Sequence, residues 1–228
     1  MPGHFTFYCN HISGEIAQFD DTEAKHVLQV LRYAVGDEIY FTDGKGHRFR
    51  GVISQGNKQG FQAQIVHREE IAKPAELNVC VAILKSGDRM EWAVEKCTEL
   101  GVSSVVFFPS DNGERGKVNL LRMQKVAISA MKQSHGAWLP VIEQCSLVEA
   151  IARNQQVNNY IAYCGDANKV GVSEICLPAS IFIGPEGDFS LRELTVAQEA
   201  GCSPIDLGTQ ILRTETAMVA ISAALRLR

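Results

Sequence analysis

The chain has 228 residues, of which 46% are apolar, enough for one large domain or two ordinary ones with buried cores. Its formal net charge is −4, and no block of like charge forms a basic arm or an acidic tail, so bulk electrostatics point to no nucleic-acid partner. The chain lacks a signal-peptide pattern, an apolar run of about 18 residues and any Cys-x-x-Cys pair, so we expect a cytoplasmic protein with reduced thiols, no membrane segment and no bound metal.

The first seventy residues contain short apolar runs separated by turn residues, a pattern typical of a small β-barrel. Residues 21–31 carry apolar positions at helical spacing, and residues 43–47 are rich in types that accept positive φ. Strands are predicted at residues 5–8, 15–19, 38–42, 48–54 and 62–67. Pro74 suits a domain boundary, so we expect a β-barrel domain at residues 1–72 and a second domain at residues 73–228.

From residue 77 onward, strands and helices alternate, which predicts an α/β domain with a parallel sheet and crossover helices. The Ser-x-x-Glu pattern at Ser146 and again at Ser190 is a capping box, and it indicates where two of the helices start. Strands are predicted at residues 79–84, 102–109, 160–164, 179–183 and 204–207, and helices at residues 88–100, 118–135, 146–154 and 214–227 and directly after Ser190.

Two loops near the C-terminus are the most informative part of the chain. They occupy residues 184–190 and 207–213, and in each an apolar run stops at a glycine before a predicted helix. Successive turns of this kind line the crevice where open α/β sheets bind ligands. The chain has neither the Gly-x-Gly-x-x-Gly pattern of dinucleotide sites nor a P-loop, which disfavours both ligand classes.

The residue types in the first loop favour a neutral or cationic ligand. Gly184 and Gly187 allow close approach of the backbone, and Pro185 stiffens the turn between them. Glu186 and Asp188 would repel a polyanion at the following helix N-terminus. A tight turn with acidic residues that favour the helix start is the alternative interpretation.

The second loop combines an apolar slot with one cation. Leu207, Gly208, Ile211 and Leu212 supply the slot, and Arg213 follows it directly. An arginine on a turn is also an ordinary solvated charge, so both interpretations stay open here.

Together the two loops resemble those of the RsmE-type ribosomal RNA uridine N3-methyltransferases of the SPOUT superfamily. The resemblance covers most of the chain, because other segments are similar to the family's PUA-like barrel and to its first strand and helix. These segments are residues 26–32, 36–37, 43–46, 85, 89–91, 96, 98–101, 114–115 and 133–134. The chain departs from the family pattern at Asp188, which replaces a glycine, at Gln210, which replaces a common basic residue, and at Gly136, where an arginine is often found.

The resemblance implies S-adenosylmethionine as the cofactor, held in a C-terminal trefoil knot of a SPOUT-type sheet that follows a PUA-like domain. By analogy with the family, a third cofactor loop is expected after the strand at residues 160–164; ordinary strand-end residues are the alternative there. The expected cofactor-binding residues are Tyr163, Cys164, Gly165, Ile183, Gly184, Pro185, Glu186, Gly187, Leu207, Gly208, Ile211, Leu212, Arg213 and Thr216.

The implied reaction is methylation of N3 of a uridine in small-subunit (16S) ribosomal RNA. Uridine N3 carries a proton, so the enzyme must remove it and stabilise the charge that develops on the neighbouring carbonyl oxygens. Arg213 is our candidate for that stabilisation. The base stays open: Glu186 and Glu215 are available but also suit helix N-termini, and water or hydroxide is a further choice.

Cations near the barrel hairpin and near strand ends are candidates for contacts with RNA phosphates, although each also fits an ordinary solvated charge. They are Arg32, Arg48, Arg50, Lys85, Arg89, Arg115 and Lys117. The apolar helix at residues 214–227 would pack in a homodimer, as in the family, or be buried within one chain.

Three other functions remain compatible with the sequence. A SPOUT methyltransferase acting on another RNA position, such as a ribose 2′-hydroxyl of transfer or ribosomal RNA, would share the fold and the cofactor loops. A non-catalytic RNA-binding or ribosome-assembly protein would have lost the reaction, although the complete loops and Arg213 argue against it. A small-molecule α/β enzyme with an unrelated barrel would show no dependence on RNA.

Overall fold

The computed structural model describes residues 5–57, 59–153, 157–165 and 168–228, and the chain divides into two compact units. The first unit contains the described residues up to Lys73 together with Ile128–Leu139, and the second contains Pro74–Ala127 and Pro140–Arg228. The sequence-based boundary between residues 72 and 73 had assigned residues 128–139 to the second domain.

The first unit is built on a six-stranded sheet with the order β1-β4-β5-β6-β3-β2. Its strands are β1 (Thr6–Tyr8), β2 (His11–Ser13), β3 (Ile16–Phe19), β4 (Glu38–Thr42), β5 (His47–Asn57) and β6 (Gly60–Glu70). The β1–β4 pair is parallel and the other pairs are antiparallel. Five of the six strands were predicted; β2 was missed because its three residues contain a single apolar side chain.

Aromatic side chains fill the core of this sheet. The Phe19 and Phe61 rings stack with centroids 4.2 Å apart, and Phe41 and Phe49 stack at 5.0 Å. All four are buried, as is Phe7. Burying such a side chain contributes about 1.5–3 kcal/mol, so these rings supply much of the driving force for curling the sheet.

The helical segment of the first unit changes its hydrogen-bonding pattern part-way. Helix α1 (Asp21–Ala24) starts at Asp20, whose Oδ1 accepts from the Glu23 backbone N–H at 3.0 Å. A π-helical turn, Lys25–Val30, continues it, and the Leu31 N–H donates to the His26 carbonyl five residues back. Apolar spacing predicted the helix but does not reveal this wider turn.

The second unit contains a fully parallel seven-stranded sheet with the order β11-β13-β10-β12-β7-β8-β9. Its strands are β7 (Leu77–Ala82), β8 (Ser104–Phe108), β9 (Val141–Gln144), β10 (Asn158–Ala162), β11 (Val170–Gly171), β12 (Ala179–Ile183) and β13 (Ser203–Asp206). Every residue of β7 and β12 is buried, as expected for strands covered on both faces. Strands β9 and β11 were not predicted, because they are short and partly exposed.

The described α-helices from residue 87 onward are α2 (Gly87–Glu99), α3 (Leu120–Gln133), α4 (Leu147–Arg153), α5 (Leu191–Glu199) and α6 (Thr214–Arg226), and the part of α3 from Ile128 onward belongs to the first unit. Both predicted capping boxes are present. At Ser190, Oγ accepts from the Glu193 N–H at 3.2 Å, while Glu193 Oε2 accepts from the Ser190 N–H at 2.8 Å. Residue 154, the predicted end of α4, lies outside the described residues.

The cysteines are all free thiols, as the sequence predicted. Cys97 on α2 lies 3.7 Å from Ser222 on α6, where these two helices pack. Burial raises the pKa of the Cys97 thiol to about 12, with the Ser222 hydrogen bond opposing this, so it behaves as a small apolar group in the core.

Candidate active site

The strand order brings three loops together at one edge of the parallel sheet. Strands β13, β10 and β12 are neighbours, and their parallel pairing places their carboxyl ends side by side. We call the segments that follow β10, β12 and β13 the Tyr163 loop (residues 163–165), the Gly184 loop (residues 184–190) and the Gly208 loop (residues 207–213). All three loops line a single cavity of about 350 Å³, which we call the cofactor cavity.

Most of the predicted cofactor residues line this cavity. These are Tyr163, Cys164, Ile183, Gly184, Pro185, Glu186, Leu207, Gly208, Ile211, Leu212 and Arg213. Gly165, Gly187 and Thr216 do not belong to its lining; Gly187 borders a neighbouring cavity instead, and Thr216 is exposed on α6. Their role as cofactor contacts stays a prediction.

The lining also contains residues that the sequence had not predicted. They are Ala162, Lys169, Asp188, Ile205, Asp206, Thr209, Gln210, Thr214 and Ala217. Most of them adjoin predicted positions, so a wider window around each loop would have included them. Lys169 gave no sequence signal; its ammonium lies 5.2 Å from the centre of the Tyr163 ring, a cation–π contact.

Asp188 connects the Gly184 loop to the Tyr163 loop. Its Oδ2 accepts from the Cys164 backbone N–H at 2.9 Å, and its Oδ1 accepts from the Phe189 N–H at 2.8 Å. Its φ of 58° is left-handed, a conformation that aspartate adopts more readily than most non-glycine residues. Asp188 thus adopts a backbone conformation that glycine also favours, and its side chain adds a link between two loops.

Thr214 connects the Gly184 loop to helix α6. Its buried hydroxyl donates to the Gly184 carbonyl at 2.9 Å, directly after the Gly208 loop ends. Gly208 has a φ of 113°, which a side chain would oppose, and its N–H donates to Asp206 Oδ1 at 3.0 Å. Hydrogen bonds that do not require a ligand therefore link the Tyr163 loop to the Gly184 loop, and the Gly184 loop to the start of α6.

Arg89 on α2 is bound by two carboxylates from the site. Its Nε donates to Glu215 Oε1 at 2.8 Å, and its terminal nitrogens donate to Glu215 Oε2 and Glu186 Oε1. These hydrogen bonds, first those with Glu215, raise the pKa of the Arg89 guanidinium above its ordinary value. Arg89, a predicted RNA contact, thus fixes the positions of the Gly184 loop and α6; its contact with RNA stays a prediction.

Glu215 is ionised, and hydrogen bonds hold its carboxylate in place. Its side chain is 10% exposed and lies outside the cofactor cavity. Burial acts to raise the pKa of the Glu215 carboxyl, but hydrogen bonds from Arg89 and its own backbone N–H outweigh burial and hold that pKa below its usual value. A carboxylate held in this way is a weak base, so the structure does not favour Glu215 as the proton acceptor.

Arg213 lies at the N-cap position of α6 and lines the cofactor cavity. It is exposed, and it forms no ion pair with any other residue that the structure describes. Lys169 is the other cation of the described lining, and it lies over the Tyr163 ring. Arg213 therefore has a guanidinium available to a bound molecule.

The remaining RNA candidates lie on exposed positions in their own units. In the first unit, Arg50 pairs with Glu38 at 3.2 Å, and Arg48 donates to the His135 carbonyl at 2.8 Å; Arg32 is exposed in a left-handed turn. In the second unit, Lys85, Arg115 and Lys117 are exposed. Surface ion pairs of this kind contribute little to stability, so these cations are accessible to RNA phosphates.

The family is decided by comparison with known proteins. A family model described as an RNA methyltransferase domain matches residues 71–226, and one described as an RNA methyltransferase PUA domain matches residues 19–66. The chain belongs to the RNA methyltransferase family. The predicted resemblance is confirmed, as is an α/β fold with a PUA-like first domain; the C-terminal knot stays a prediction.

Relatives of this RNA methyltransferase match along nearly its whole length. The "Ribosomal RNA small subunit methyltransferase E" of Rickettsia conorii is 28% identical over 226 residues, covering 94% of this chain and 91% of the relative. A probable rRNA-methyltransferase structure from Porphyromonas gingivalis is 35% identical, with a TM-score of 0.87 and coverage of 98% and 97%. The small-subunit methyltransferase E from Neisseria gonorrhoeae, solved with bound S-adenosyl methionine, is 29% identical, with a TM-score of 0.85 and coverage of 99% and 98%.

Two other features of the described residues bear on the initial expectations. No helix in this part of the chain has the length and apolar character needed to cross a bilayer. The same residues include no group of three or more His, Cys, Asp or Glu side chains arranged to hold a metal ion.

Proposed function

We propose that this protein transfers a methyl group from S-adenosylmethionine to N3 of a uridine in small-subunit ribosomal RNA, acting in the cytoplasm. The observation that carries the proposal is the convergence of the Tyr163, Gly184 and Gly208 loops on one cavity, in a chain of the RNA methyltransferase family. Relatives named ribosomal RNA small subunit methyltransferase E support small-subunit ribosomal RNA over transfer RNA as the substrate.

The residues of the cofactor cavity fit S-adenosylmethionine. This cofactor is a sulfonium cation without phosphates, and the cavity provides the carboxylates of Glu186 and Asp206 beside apolar surface. Leu207 and Ile211 would pack against the adenine ring, and backbone groups of the Gly184 loop would accept and donate hydrogen bonds. Asp188 and Thr214 act indirectly, because they hold these loops in place.

When bound, the cofactor supplies an electrophilic methyl group. The protein's own contribution is to orient the acceptor base and to stabilise the charge that its carbonyl oxygens gain when N3 loses its proton. Arg213 lines the cavity, is exposed and forms no ion pair within the described part of the chain, which supports that role for it. Glu215 is disfavoured as the base because Arg89 occupies both of its carboxylate oxygens.

RNA would be bound first through its phosphates, by the exposed arginines of the PUA-like domain and by cations of the second unit. A homodimer formed through α6 is part of the proposal. One side of this helix packs on α2, while Thr216, Ala220 and Ala224 form an exposed stripe on its other side. Sedimentation at micromolar concentration would contradict the dimer if only monomer were found.

The deciding experiment compares ribosomal RNA nucleosides from cells with and without the gene by mass spectrometry. We expect one N3-methyluridine in small-subunit RNA to disappear without the gene and to return when the purified protein and S-adenosylmethionine are added. If no methylated uridine is lost, or if a 2′-O-methyl nucleoside is lost instead, the proposed reaction is wrong.

A further inference from the structure

A second cavity of about 570 Å³ adjoins the first on the same edge of the sheet. It lies where β7 ends, next to β12 in the sheet order, and Lys85, Asn112, Glu114 and Gly187 contribute to its lining. Glu186 lines both cavities, so the two spaces are neighbours. We call the second space the acceptor cavity.

We propose that the acceptor cavity holds the uracil base of the substrate nucleotide, and that the Lys85 ammonium stabilises the anion that this base becomes when N3 loses its proton. The proposal rests on the proposed function. It assigns Lys85, which the sequence placed among the phosphate contacts, to the base itself.

The position of the cavity suits a methyl acceptor. Transfer of a methyl group requires donor and acceptor atoms to meet in line within about 3–3.5 Å, so the two molecules need adjoining spaces. The Gly184 loop contributes to both cavities, because Glu186 lines both and Gly187 lines the second. Asn112 Nδ2 donates to the carbonyls of Gly187 at 3.3 Å and Asp188 at 3.1 Å, which fixes this part of the loop.

Two cations, Lys85 and Arg89, line the cavity together with the carboxylates of Glu114 and Glu186. The Arg89 guanidinium also lines it, but Glu215 and Glu186 already bind its nitrogens. Lys85 is exposed, and it forms neither a hydrogen bond nor an ion pair with any residue in the described ranges. An ammonium donates well to the O2 or O4 oxygen of a uracil ring, where the negative charge of the deprotonated base resides.

The atoms and electrons of the reaction then balance without a basic side chain of the protein. Hydroxide from solvent takes the N3 proton and becomes water, and the electron pair left on N3 forms the new bond to the methyl carbon. The carbon–sulfur bond breaks, and its electron pair stays on sulfur, which becomes a neutral thioether. Lys85 contributes by lowering the pKa of the bound uridine, in addition to the stabilisation proposed for Arg213 from the cofactor cavity, so that more of the uridine is anionic at neutral pH.

The test replaces Lys85 by Met and by Arg in the full chain, with Lys125→Met as the matched control because Lys125 is an exposed lysine that borders neither cavity. Small subunits and tritiated S-adenosylmethionine serve as substrates, and kcat is followed over pH. We expect the rising limb of the Lys85→Met profile to lie about one pH unit above that of the unsubstituted protein, with kcat at neutral pH reduced about tenfold. Lys85→Arg should retain most of the activity, and the cofactor Kd should not change.

A substrate with a more acidic N3 provides the second measurement. Fluorine at C5 of uracil withdraws electron density and acidifies N3, so small subunits reconstituted with 5-fluorouridine RNA should reduce the need for Lys85. We expect the activity ratio between the unsubstituted protein and Lys85→Met to shrink severalfold on this substrate. If Lys85 binds a phosphate instead, Lys85→Met should have a higher KM with a weaker salt dependence and an unchanged pH profile. Either that result or an unchanged activity ratio on the fluorinated substrate overturns the proposal.

The two proposals fail in different ways. If the unsubstituted protein methylates no uridine N3, the proposed function is wrong whatever Lys85 does. If it does methylate N3 and Lys85→Met has an unchanged pH profile, the proposed function stands and the acceptor cavity is wrongly assigned.

Discussion

Asp188 Oδ2 accepts a 2.9 Å hydrogen bond from the Cys164 backbone N–H, and this contact joins the loops that follow β12 and β10. The two residues are 24 positions apart, and both line the cofactor cavity. Arg89 is a second side chain that positions other parts of the site, through its bonds to Glu215 and Glu186.

Replacing Asp188 should weaken cofactor binding without stopping methylation. Asp188→Gly keeps the left-handed backbone available but removes both hydrogen bonds, and we expect the Kd for S-adenosylmethionine to rise about three- to tenfold. Asp188→Asn retains one carbonyl acceptor and tolerates the same φ, so its Kd should rise less. Calorimetric titration measures both, and equal affinities in all three proteins would exclude this role.

The ion pair between Arg89 and Glu215 should stabilise the second unit in a pH-dependent way. Replacing Arg89 by Met leaves the largely buried Glu215 without its partner, and we expect a loss of about 2 kcal/mol in the free energy of unfolding at pH 7. Urea denaturation at neutral pH measures the loss. An unchanged midpoint would contradict the role assigned to Arg89.

The sign of the pH effect follows from the lowered pKa of Glu215. Because the folded pKa is below the unfolded value of about 4.3, the stabilisation is fully present above that value and is lost as the pH falls through the folded pKa. The difference in unfolding free energy between the unsubstituted protein and Arg89→Met should therefore be constant from pH 6 to pH 7 and shrink below about pH 4. A difference that grew on acidification would have the wrong sign.

Arg213 should affect the chemical step more than cofactor binding. If its guanidinium stabilises the developing anion, Arg213→Ala should lower kcat about 100-fold while the cofactor Kd changes little. Arg192→Ala is the matched control, because the Arg192 side chain is 82% exposed and does not line the cofactor cavity. Full turnover in Arg213→Ala at unchanged cofactor affinity would exclude the role.

The exposed arginines of the PUA-like domain should contribute to RNA binding through charge alone. Replacing Arg32, Arg48 and Arg50 by Gln should weaken the binding of small-subunit RNA and reduce the slope of log K against log salt by about two, with little effect on sequence preference. Arg153→Gln, which loses a surface pair with Glu143, is the control. An unchanged slope in the triple variant would remove these residues from the RNA contact.

Much of the element order follows from local sequence, because apolar periodicity and capping act over short distances. Strands β4 and β12 have the predicted bounds, and the capping boxes at Ser146 and Ser190 form as expected. The π-helical turn and the short strands β9 and β11 were missed, since their signals are weak or absent in local patterns.

The sequence predicted many of the residues that line the cofactor cavity, but not the contacts between them. The glycine loops and Arg213 stand out locally, whereas the sheet order that places β10 between β12 and β13 depends on crossovers that periodicity does not reveal. The roles of Asp188 and Arg89 depend on partners elsewhere in the chain, 24 residues away for Cys164 and 126 for Glu215. That Glu186 lines two cavities likewise depends on residues that are distant from it in the sequence.

The hydrogen bond from Thr214 to the Gly184 carbonyl and the bonds from Arg89 to Glu215 give the site a high contact order. Such long-range contacts can form only when segments far apart in the sequence have been brought together, which costs chain entropy. A partly folded second unit therefore has the glycine loops in its sequence but no assembled cavity. Cofactor affinity consequently reports on the completed fold of the whole unit and not on the state of any one loop.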